Sequence, residues 1–390
     1  MLRSLYSGIS GLRANQTALD VAGNNIANVN TTAFKASAAR FQDTLSQTLR
    51  GGAAPGADGG SSPAQLGLGV RVAGISTDMT QGGTQTTGQP THLMIAGDGY
   101  FAVRTGGEVL YTRAGAFDWD AAGNLVTADG GVVMGYPAVN GVVDTAGGLQ
   151  PLRLPAGATS APRATTSAVL AGNLPADAAV GDTRTVDHQV YLPGGATATL
   201  SLTFTRTAAG WDVAGSAGGA TATGAVTFDA TTGALTSGGT LTVGGIAVDL
   251  GGMTGLAGAD NAIVDDADGN PAGTLKSYTF APNGDLLGTF SNGLTESLGR
   301  VAVATFDNPA GLEKAGNSLY RVGPNSGQAR MGTAGGAGYG EIASGSLEMS
   351  NVDLSQEFTN LIVAQRGFQA NARIITTSDE VLQELTNLKR

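Results

Sequence analysis

The chain has 390 residues, of which 62 are glycine, and its charged and aromatic fractions are only 13% and 5%. Such a composition favours short strands joined by tight turns and argues against an intracellular α/β enzyme. Acidic residues outnumber Lys and Arg by 31 to 21, and the net charge of −10 removes the counterion-release term that drives nucleic-acid binding. Neither nucleic acid nor an anionic membrane is therefore expected as a partner.

The composition and the N-terminal sequence bear on the compartment in which the protein works. Cysteine is absent, which excludes disulfides, thiolate metal ligands and cysteine nucleophiles and suits an exported protein, although a cysteine-poor cytosolic protein would look the same. The sequence has no run of about 18 apolar residues, which a membrane-spanning helix needs. Arg3, Asn15, Gln16 and Asp20 interrupt any apolar core of a secretory signal. We expect neither membrane insertion nor a cleaved signal peptide.

The first 28 residues show a helical period, in which apolar side chains recur at alternating steps of three and four. Six of the eight positions on this row are apolar, whereas the overall hydrophobic fraction of 41% would give about three. The pattern predicts a helix with one apolar row. That row consists of Leu2, Leu5, Ile9, Leu12, Leu19 and Ile26.

Residues 350–390 repeat this spacing, with Gln365 and Asp379 as polar members of the row. A helix of ~35 residues would be about 50 Å long, which exceeds the diameter of a small domain. The apolar members of this row are Leu354, Phe358, Leu361, Phe368, Ala372, Ile375 and Leu382.

The two predicted helices stand at opposite ends of the chain, so they could pair with each other like a coiled coil and with helices of neighbouring copies in a polymer. They could equally be core helices of one globule. Long helices whose apolar rows lack a partner are marginal in water. In the polymer interpretation we therefore expect them to be disordered in the monomer and to fold on assembly.

Between the two ends, short β-branched or aromatic runs alternate with glycine turns, as residues 93–96, 100–103 and 109–112 illustrate. This alternation predicts hairpins, because glycine and asparagine supply the positive φ that hairpin turns need. The predicted turns are Gly97-Asp98-Gly99, Gly123-Asn124, Asp129-Gly130, Asn140-Gly141, Asn283-Gly284 and Asn292-Gly293.

Shifts in composition near residues 150–165 and 265–273 predict a discontinuous, nested organisation. The predicted fold is mainly β with long α-helical termini. The Gly/Ala/Ser-rich loop 50–63 should be flexible. The predicted parts are a terminal helical inner-tube domain (1–30 and 352–390), connecting segments (31–70 and 330–351), a β-rich middle domain (71–150 and 275–329) and an inserted outer β-domain (151–274).

Residues that could carry chemistry are few. His92 and His188 each lack a second histidine or a carboxylate at metal-ligand spacing, and no nucleophile elbow, Walker loop or zinc-protease motif occurs. The stretch from Asp265 to Asn270 has the carboxylate density of a calcium loop but lacks the glutamate of an EF-hand, so a solvated Asp-Gly turn is the favoured interpretation. We expect no catalytic, cofactor or metal site and no enzyme.

An asparagine cluster closes the first predicted helix. Such side chains can bond to free backbone groups at a helix end, either as a specific contact network or simply as a polar terminus. The cluster comprises Asn24, Asn25, Asn28 and Asn30.

Several of these stretches resemble one family, the flagellar rod and hook proteins. They are Ser7-Gly8-Ile9-Ser10-Gly11-Leu12, the run from Asn24 to Thr31 with Phe34-Lys35, Gly97-Asp98-Gly99-Tyr100-Phe101, Tyr111-Thr112-Arg113-Ala114-Gly115-Ala116-Phe117, Ser350-Asn351-Val352-Asp353-Leu354-Ser355 and Gln365-Arg366-Gly367-Phe368. The family usually has glycine where this chain has Ala33, and this departure should weaken a turn.

The large insert, together with Ser291-Asn292-Gly293, Asn351-Val352-Asp353-Leu354-Ser355 and the run from Phe306 to Leu312, resembles the hook members of the family. The resemblance implies a subunit of the hook, the curved, flexible tube that joins the rotary motor to the filament as a universal joint. It implies self-assembly, export by the flagellar type III apparatus, and contacts with rod, hook cap and hook-filament junction proteins.

Two alternatives remain. A distal rod protein would use the same ends in a stiff shaft, and such subunits are expected to be shorter and to lack the insert. A secreted β-rich adhesin or binding module would bind a ligand through the insert without polymerising.

Overall fold

The computed structural model describes residues 2–52, 60, 62–155 and 157–387. The chain begins and ends with helices, α1 (Leu2–Ala27) and α2 (Leu354–Asn387), and nearly everything between them is strand and turn. The predicted mainly-β fold with helical termini is thereby confirmed. Most of the loop expected to be flexible, and the last three residues of the predicted second helix, lie outside the described residues.

The strands are mostly short, as the glycine-rich composition predicts. A single 3₁₀ turn, Pro309–Gly311, interrupts them within the described residues. In chain order the strands are β1 (Ser37–Asp43), β2 (Ser46–Arg50), β3 (Ala64–Gly67), β4 (Val70–Thr77), β5 (Thr84–Thr86), β6 (Leu93–Ala96), β7 (Tyr100–Thr105), β8 (Glu108–Thr112), β9 (Phe117–Trp119), β10 (Leu125–Thr127), β11 (Val132–Val139), β12 (Val142–Val143), β13 (Gln150–Pro151), β14 (Thr159–Ser160), β15 (Ser167–Asn173), β16 (Thr183–Tyr191), β17 (Thr197–Arg206), β18 (Trp211–Ala217), β19 (Ala220–Phe228), β20 (Leu235–Ser237), β21 (Thr240–Val243), β22 (Ile246–Thr254), β23 (Ile263–Ala267), β24 (Gly273–Phe280), β25 (Asp285–Phe290), β26 (Thr295–Thr305), β27 (Glu313–Gly316), β28 (Leu319–Arg321), β29 (Arg330–Thr333), β30 (Glu341–Ser344) and β31 (Ser346–Glu348).

The chain divides into two compact units. The first comprises Met1–Pro155, Thr279–Leu287 and Ser297–Arg390, and the second comprises Ala156–Tyr278 and Gly288–Glu296.

The first unit contains both helices and an antiparallel sheet in the order β26-β11-β7-β8-β28-β27. An aromatic cluster packs on this sheet, in which Phe306 meets Tyr100 and Tyr111 edge-on at centroid distances of 5.6 and 4.9 Å. Edge-to-face pairs of this kind contribute beyond the area that they bury. Two further pairs, β6 with β30 and β5 with β31, join the strands that precede the sheet to those that precede α2.

The segments that the sequence suggested were connectors contain strands. In residues 31–70, β1 pairs with β4 and β2 pairs with β3 to form antiparallel ribbons. In residues 330–351, β29 pairs with β26, and β30 and β31 make the pairs described above. Local patterns missed β30 and β31 because their hydrogen-bond partners, β6 and β5, lie more than two hundred residues away along the chain.

The second unit has a five-stranded antiparallel sheet, β16 to β20 in sequence order, and a four-stranded sheet in the order β21-β22-β15-β23. Strict alternation of buried and exposed residues along β18 marks one face of the first sheet as core. Apolar residues of both sheets join in one cluster, which includes Phe204, Trp211, Ile246 and Val248. Two sheets sharing one core in this way form a β-sandwich.

Predicted turns occur where glycine was expected to supply positive φ. Asn140 and Gly141 have φ of 52° and 78° and form a two-residue hairpin loop between β11 and β12, as predicted. The hairpin predicted around Gly97-Asp98-Gly99 is wrong, because β6 pairs with β30 while β7 pairs with β8. The carbonyls of Gly97 and Gly99 instead accept hydrogen bonds from the Arg113 guanidinium.

Candidate assembly site: the helix pair and its neck

The two terminal helices pack side by side, and we call them the helix pair. A Cβ placed on Gly8 would lie 3.4 Å from Ile375, and one on Gly367 would lie 2.7 Å from Asn15. Positions that advance along α1 therefore meet positions that recede along α2, so the two helices run antiparallel. The pairing of the two ends within one chain is thus present in the structure.

The seam between the helices is built from small residues and asparagines. Asn15 packs against Gly367, and Asn371 packs against Gly11, where an added Cβ would come within 2.8 Å of the amide. Each asparagine also donates to the carbonyl four residues earlier in its own helix, Asn15 to Gly11 at 2.8 Å and Asn371 to Gly367 at 2.9 Å. The two helices therefore exchange the same contact reciprocally.

A shared sequence pattern explains this symmetry. Gly11-Leu12-Arg13-Ala14-Asn15 and Gly367-Phe368-Gln369-Ala370-Asn371 both read glycine, apolar, polar, alanine, asparagine. Glycine lets the backbones approach, and asparagine four residues later lies on the same helix face and fills the gap that the partner glycine leaves. Apolar periodicity does not reveal this pattern, because glycine and asparagine are not apolar residues.

The predicted assembly residues flank the seam and do not form its centre. Gly8, Gly11, Ala14 and Ala22 are the buried positions of α1 before Asn25, whereas the predicted members of its row are half-buried or exposed. The side chain of Leu2 lies outside the described residues. Half-buried members in the two helices are Leu5, Leu12, Leu19, Ile26, Leu361, Phe368, Ala372, Ile375 and Leu382, and exposed members are Ile9, Leu354 and Phe358.

The helix pair keeps an apolar surface in contact with solvent. Phe358 is 51% exposed, and other large apolar side chains on the two helices are similarly open. Large exposed apolar side chains concentrated on two packed helices indicate an interaction site. The other exposed large apolar side chains of the helix pair are Tyr6, Ile9, Leu354, Ile362, Val363, Ile374 and Val381.

The asparagine cluster at the end of α1 is a contact network in part. Asn25 is fully buried and exchanges two hydrogen bonds with the backbone of Ser37, donating to its carbonyl at 2.8 Å and accepting from its amide at 3.0 Å. Asn28 donates to the carbonyl of Asn24 at 2.9 Å and accepts from the Thr31 hydroxyl at 3.0 Å. The Asn25 side chain thus links α1 to β1 through the two hydrogen bonds that a neighbouring strand would otherwise make.

Asn30 and Phe34 complete the family motif. Asn30 is exposed. Phe34 is half-buried beneath the ammonium of Lys314, which lies 5.3 Å from the ring centroid. Burial lowers the pKa of Lys314.

Ala33, where the resemblance expects glycine, is fully buried and adopts a left-handed φ of 56°. A left-handed conformation costs a residue with a Cβ about 1–2 kcal/mol. Its amide donates to the backbone carbonyl of Glu348 at 2.8 Å. The turn therefore exists as expected and carries strain that a glycine would not have.

Residues 28–36 and 346–353 join the helix pair to the strands, and we call them the neck. A buried ion network lies at its centre. Lys35 and Arg113 both donate to the carboxylate of Glu348, and all three side chains are at most 3% exposed. Lys35 also donates to the carbonyl of Thr80 at 2.6 Å, and the amide of Gly82 donates to Glu348 at 3.0 Å. Burial lowers the pKa of Lys35, against the opposing effect of Glu348.

Asn351 performs a similar function on the other side of the neck. Its side-chain oxygen accepts from the amide of Ala36 at 2.8 Å, and its side-chain nitrogen donates to the carbonyls of Asp78 and Thr80 at 3.0 and 3.2 Å. Four of the motifs that carry the family resemblance therefore meet at the neck, although they are far apart in sequence. Glu348, which links two of them, was not recognised from the sequence.

Two of the other candidate groups, His92 and Asp268, have structural partners. His92 shares a hydrogen bond of 2.8 Å with the Thr87 hydroxyl. Asp268 accepts from the Thr166 hydroxyl and from the amides of Thr166 and Ser167 at 2.6–2.9 Å. His188 is half-buried in β16. Within the described part of the chain, no three His, Asp or Glu side chains are grouped closely enough to hold a metal ion. Neither described helix has the length and apolarity that crossing a membrane requires.

Comparison with known proteins covers the regions just described. The family described as Flagella basal body rod protein matches residues 5–35, Flagellar hook protein FlgE/F/G D1 domain matches residues 94–166, and Flagellar basal body rod FlgEFG protein C-terminal matches residues 343–388. These ranges include α1 with the first neck segment, part of the first unit's sheet, and the second neck segment with α2.

Three curated relatives match over the whole length of both chains. Flagellar hook protein FlgE of Borreliella burgdorferi is 38% identical, and that of Treponema pallidum is 37% identical. Flagellar basal-body rod protein FlgG of Bacillus subtilis is 36% identical. Identity above 30% across complete chains, together with helix and neck motifs that meet in space, shows that this chain belongs to the family of flagellar hook and rod proteins.

Proposed function

We propose that the chain is a structural subunit of the flagellar hook, which polymerises through its helix pair into a curved, flexible tube between the rod and the filament. The observation that carries the proposal is the apolar surface that the helix pair leaves open, in a chain that resembles hook proteins along its entire length. Burying such a surface against further copies would supply the driving force for assembly. We propose that the chain is not an enzyme.

The division into two units supports one part of the proposed domain organisation, the separation of the inserted domain from the rest, although residues 288–296 of the proposed middle domain fall in the second unit. Residues 1–30 and 352–390 form the tube through their helices, and residues 71–150 with 275–329 form the middle β-domain. Residues 151–274 form the inserted outer domain, a proposal supported by the second unit's own sandwich core. Residues 31–70 and 330–351 hold the neck and its ribbons, and we propose that they transmit force between helices and sheet.

The rod alternative is supported by one comparison. The Bacillus subtilis rod relative aligns with this chain from end to end at 36% identity. That rod subunits are shorter and lack the insert stays a prediction. Two hook relatives with slightly higher identity favour the hook.

Electron microscopy of the purified, assembled protein tests the proposal. Short curved tubes support a hook subunit, and straight tubes support a rod subunit. A chain that does not polymerise and that binds a ligand through residues 151–274 would support an adhesin. A chain lacking residues 1–28 serves as the control for the role of α1. It should keep the two β-rich units folded, as judged by circular dichroism, and form no tubes.

Export and the remaining partners are part of the same proposal. We propose that the chain reaches the hook through the flagellar export apparatus without a cleaved signal peptide, and that it contacts rod, hook cap and hook-filament junction proteins. Loss of the chain from the culture medium of a cell whose export apparatus is disabled would support this route. Secretion that continues in such a cell, or removal of N-terminal residues from the exported chain, would contradict it.

A further inference from the structure

A groove of about 360 Å³ lies where α1, β1 and α2 meet, and we call it the neck groove. Its volume falls within the range of about 300–1,000 Å³ that is typical of ligand pockets. Asn15, Ser37, Glu357 and Asn360 line one part of it, and five alanines line another part, where they leave room for bulky groups from outside. The alanines are Ala18, Ala22, Ala38, Ala39 and Ala364.

The opposite end of the helix pair carries exposed apolar side chains. Tyr6, Ile9 and Ile374 are 69%, 39% and 44% exposed. Gly8 lies between the first two in sequence, and a Cβ on it would be 3.6 Å from Ile374, so both helices contribute to this end. We call these three side chains the free-end patch.

One copy cannot insert its own patch into its own groove. Ile9 and Ala18 are nine residues apart on one helix, which places them about 13 Å apart along its axis. An exposed patch and a groove held apart on the same helix can meet only between two copies. Such a heterologous contact leaves a free patch and a free groove at the ends, so it extends into an open helical filament unless it closes into a ring.

We propose that the free-end patch of one copy inserts into the neck groove of a second copy, head to tail. The proposal rests on the proposed function and adds to it the two surfaces that meet. A second copy is the occupant because the groove continues into the exposed helix surface proposed for assembly, and because Phe41 and Val363 in its lining are 46% and 66% exposed. The contact also explains why the groove is lined with alanine, since larger side chains would fill the space that the neighbour requires.

Engineered cysteines test the contact directly, because the chain has none of its own. The double variant Ile9→Cys with Ala18→Cys cannot close within one copy, since disulfides need Cα atoms about 4.4–6.8 Å apart. Mild oxidation of assembled polymer should give a ladder of covalent dimers, trimers and larger species on a non-reducing gel. In the matched control, Ile9→Cys with Asp20→Cys, the second cysteine lies two residues further along α1 at an exposed position outside the groove lining. The control should give no ladder.

Filling the groove tests the same contact without cross-linking. Ala18→Trp should raise the concentration needed for polymerisation by about tenfold or more, whereas Asp20→Trp should change it less than about twofold. Urea unfolding of the β-rich units should be the same for both variants. The contact would be overturned if the wild type forms tubes but the Ile9→Cys with Ala18→Cys variant gives no ladder. It would also be overturned if the two tryptophan variants polymerise equally well. Either result would leave the proposed function standing. A wild-type chain that forms no tubes would contradict the proposed function itself.

Discussion

At the scale of single residues, the neck depends on one carboxylate. Glu348 is the acceptor for two buried cations, Lys35 and Arg113. Replacing it by glutamine would keep the shape but leave both positive charges buried without a counterion. Breaking a buried pair in this way typically costs about 3–5 kcal/mol.

We therefore expect Glu348→Gln to lower the free energy of unfolding of the first unit by about 3 kcal/mol or more in urea titrations. Glu341→Gln is the matched control, because Glu341 lies seven residues earlier, is exposed, and should change stability by less than about 0.5 kcal/mol. If the two variants unfold at the same urea concentration, the ion network does not hold the neck together.

Asp268 gives the second unit a pH-dependent contact. Burial opposes ionisation of this carboxyl, but its hydrogen bonds to Thr166 and Ser167 outweigh that effect and lower its pKa from 3.8 to about 2. A carboxyl whose pKa is lower in the folded state stabilises it above pH 3.8, and this contribution disappears as the pH falls through about 2.

Asp268→Asn should accordingly destabilise the second unit by about 1 kcal/mol at pH 7, because water screens this partly exposed carboxylate, and by less at pH 2. Urea unfolding of wild type and variant at both pH values measures this difference. Asp266→Asn, a change at an exposed carboxylate two residues away, controls for the general loss of negative charge. A difference that persists unchanged at pH 2 would show that the hydrogen bonds of Asp268 do not depend on its ionisation.

At the scale of elements, the helix pair depends on the close approach of backbones at two glycines. A Cβ on Gly11 would lie 2.8 Å from the amide of Asn371, whereas one on Gly23 would meet nothing within 4 Å. Substitution by alanine should therefore destabilise the helix pair at Gly11 and stabilise it at Gly23. Gly11→Ala forces the helices apart or displaces Asn371 from its bond to Gly367, at a cost of about 1–3 kcal/mol. Gly23→Ala gains about 1 kcal/mol of helix propensity.

The measurement is the temperature at which assembled tubes lose helical circular dichroism. Gly11→Ala should lower this temperature relative to wild type, and Gly23→Ala should keep or raise it. Equal shifts for both variants would mean that the Gly11 contact with Asn371 is not tight in the polymer.

The helices also show what the sequence could and could not predict. Their existence and extent followed from periodicity, because any amphipathic helix shows it. Their buried seam did not, because apolar counting favours Leu12 or Phe358 over Gly11, whereas the distance of approach is set by the smallest residues. The predicted row flanks the seam for this reason, and Phe358 is left on the open surface.

Strand pairing was predictable only where it is local. The Asn140-Gly141 loop sets the pairing of β11 with β12 within a few residues. The partner of β6 is β30, more than two hundred residues later, and no pattern around Gly97 indicates it. Glu348 was missed for the same reason, since its importance comes from two cations, Lys35 and Arg113, that reach it from distant strands and turns.

At the scale of the whole molecule, the two units and the helix pair differ in how much of their surface is buried. The β-rich units have cores of buried apolar side chains. The helices pack on each other, and α1 also packs on β1 and β4, but large apolar side chains such as Tyr6 and Phe358 remain open. Long helices whose apolar side chains lack partners are marginal in water. Their local opening should therefore require much less free energy than opening of the sheets.

Amide hydrogen exchange on the monomer and on the assembled tube measures this difference. Amides of residues 2–27 and 354–387 should exchange within minutes in the monomer, while those of β17 and β26 stay protected in both states. Assembly should slow exchange in the helices by at least about a hundredfold, because burying their apolar surface against neighbours adds about 2.7 kcal/mol or more to the cost of opening. Strong protection of both helices in the monomer would mean that the contacts within one copy are sufficient to keep the helices folded. Assembly would then join helices that are already folded.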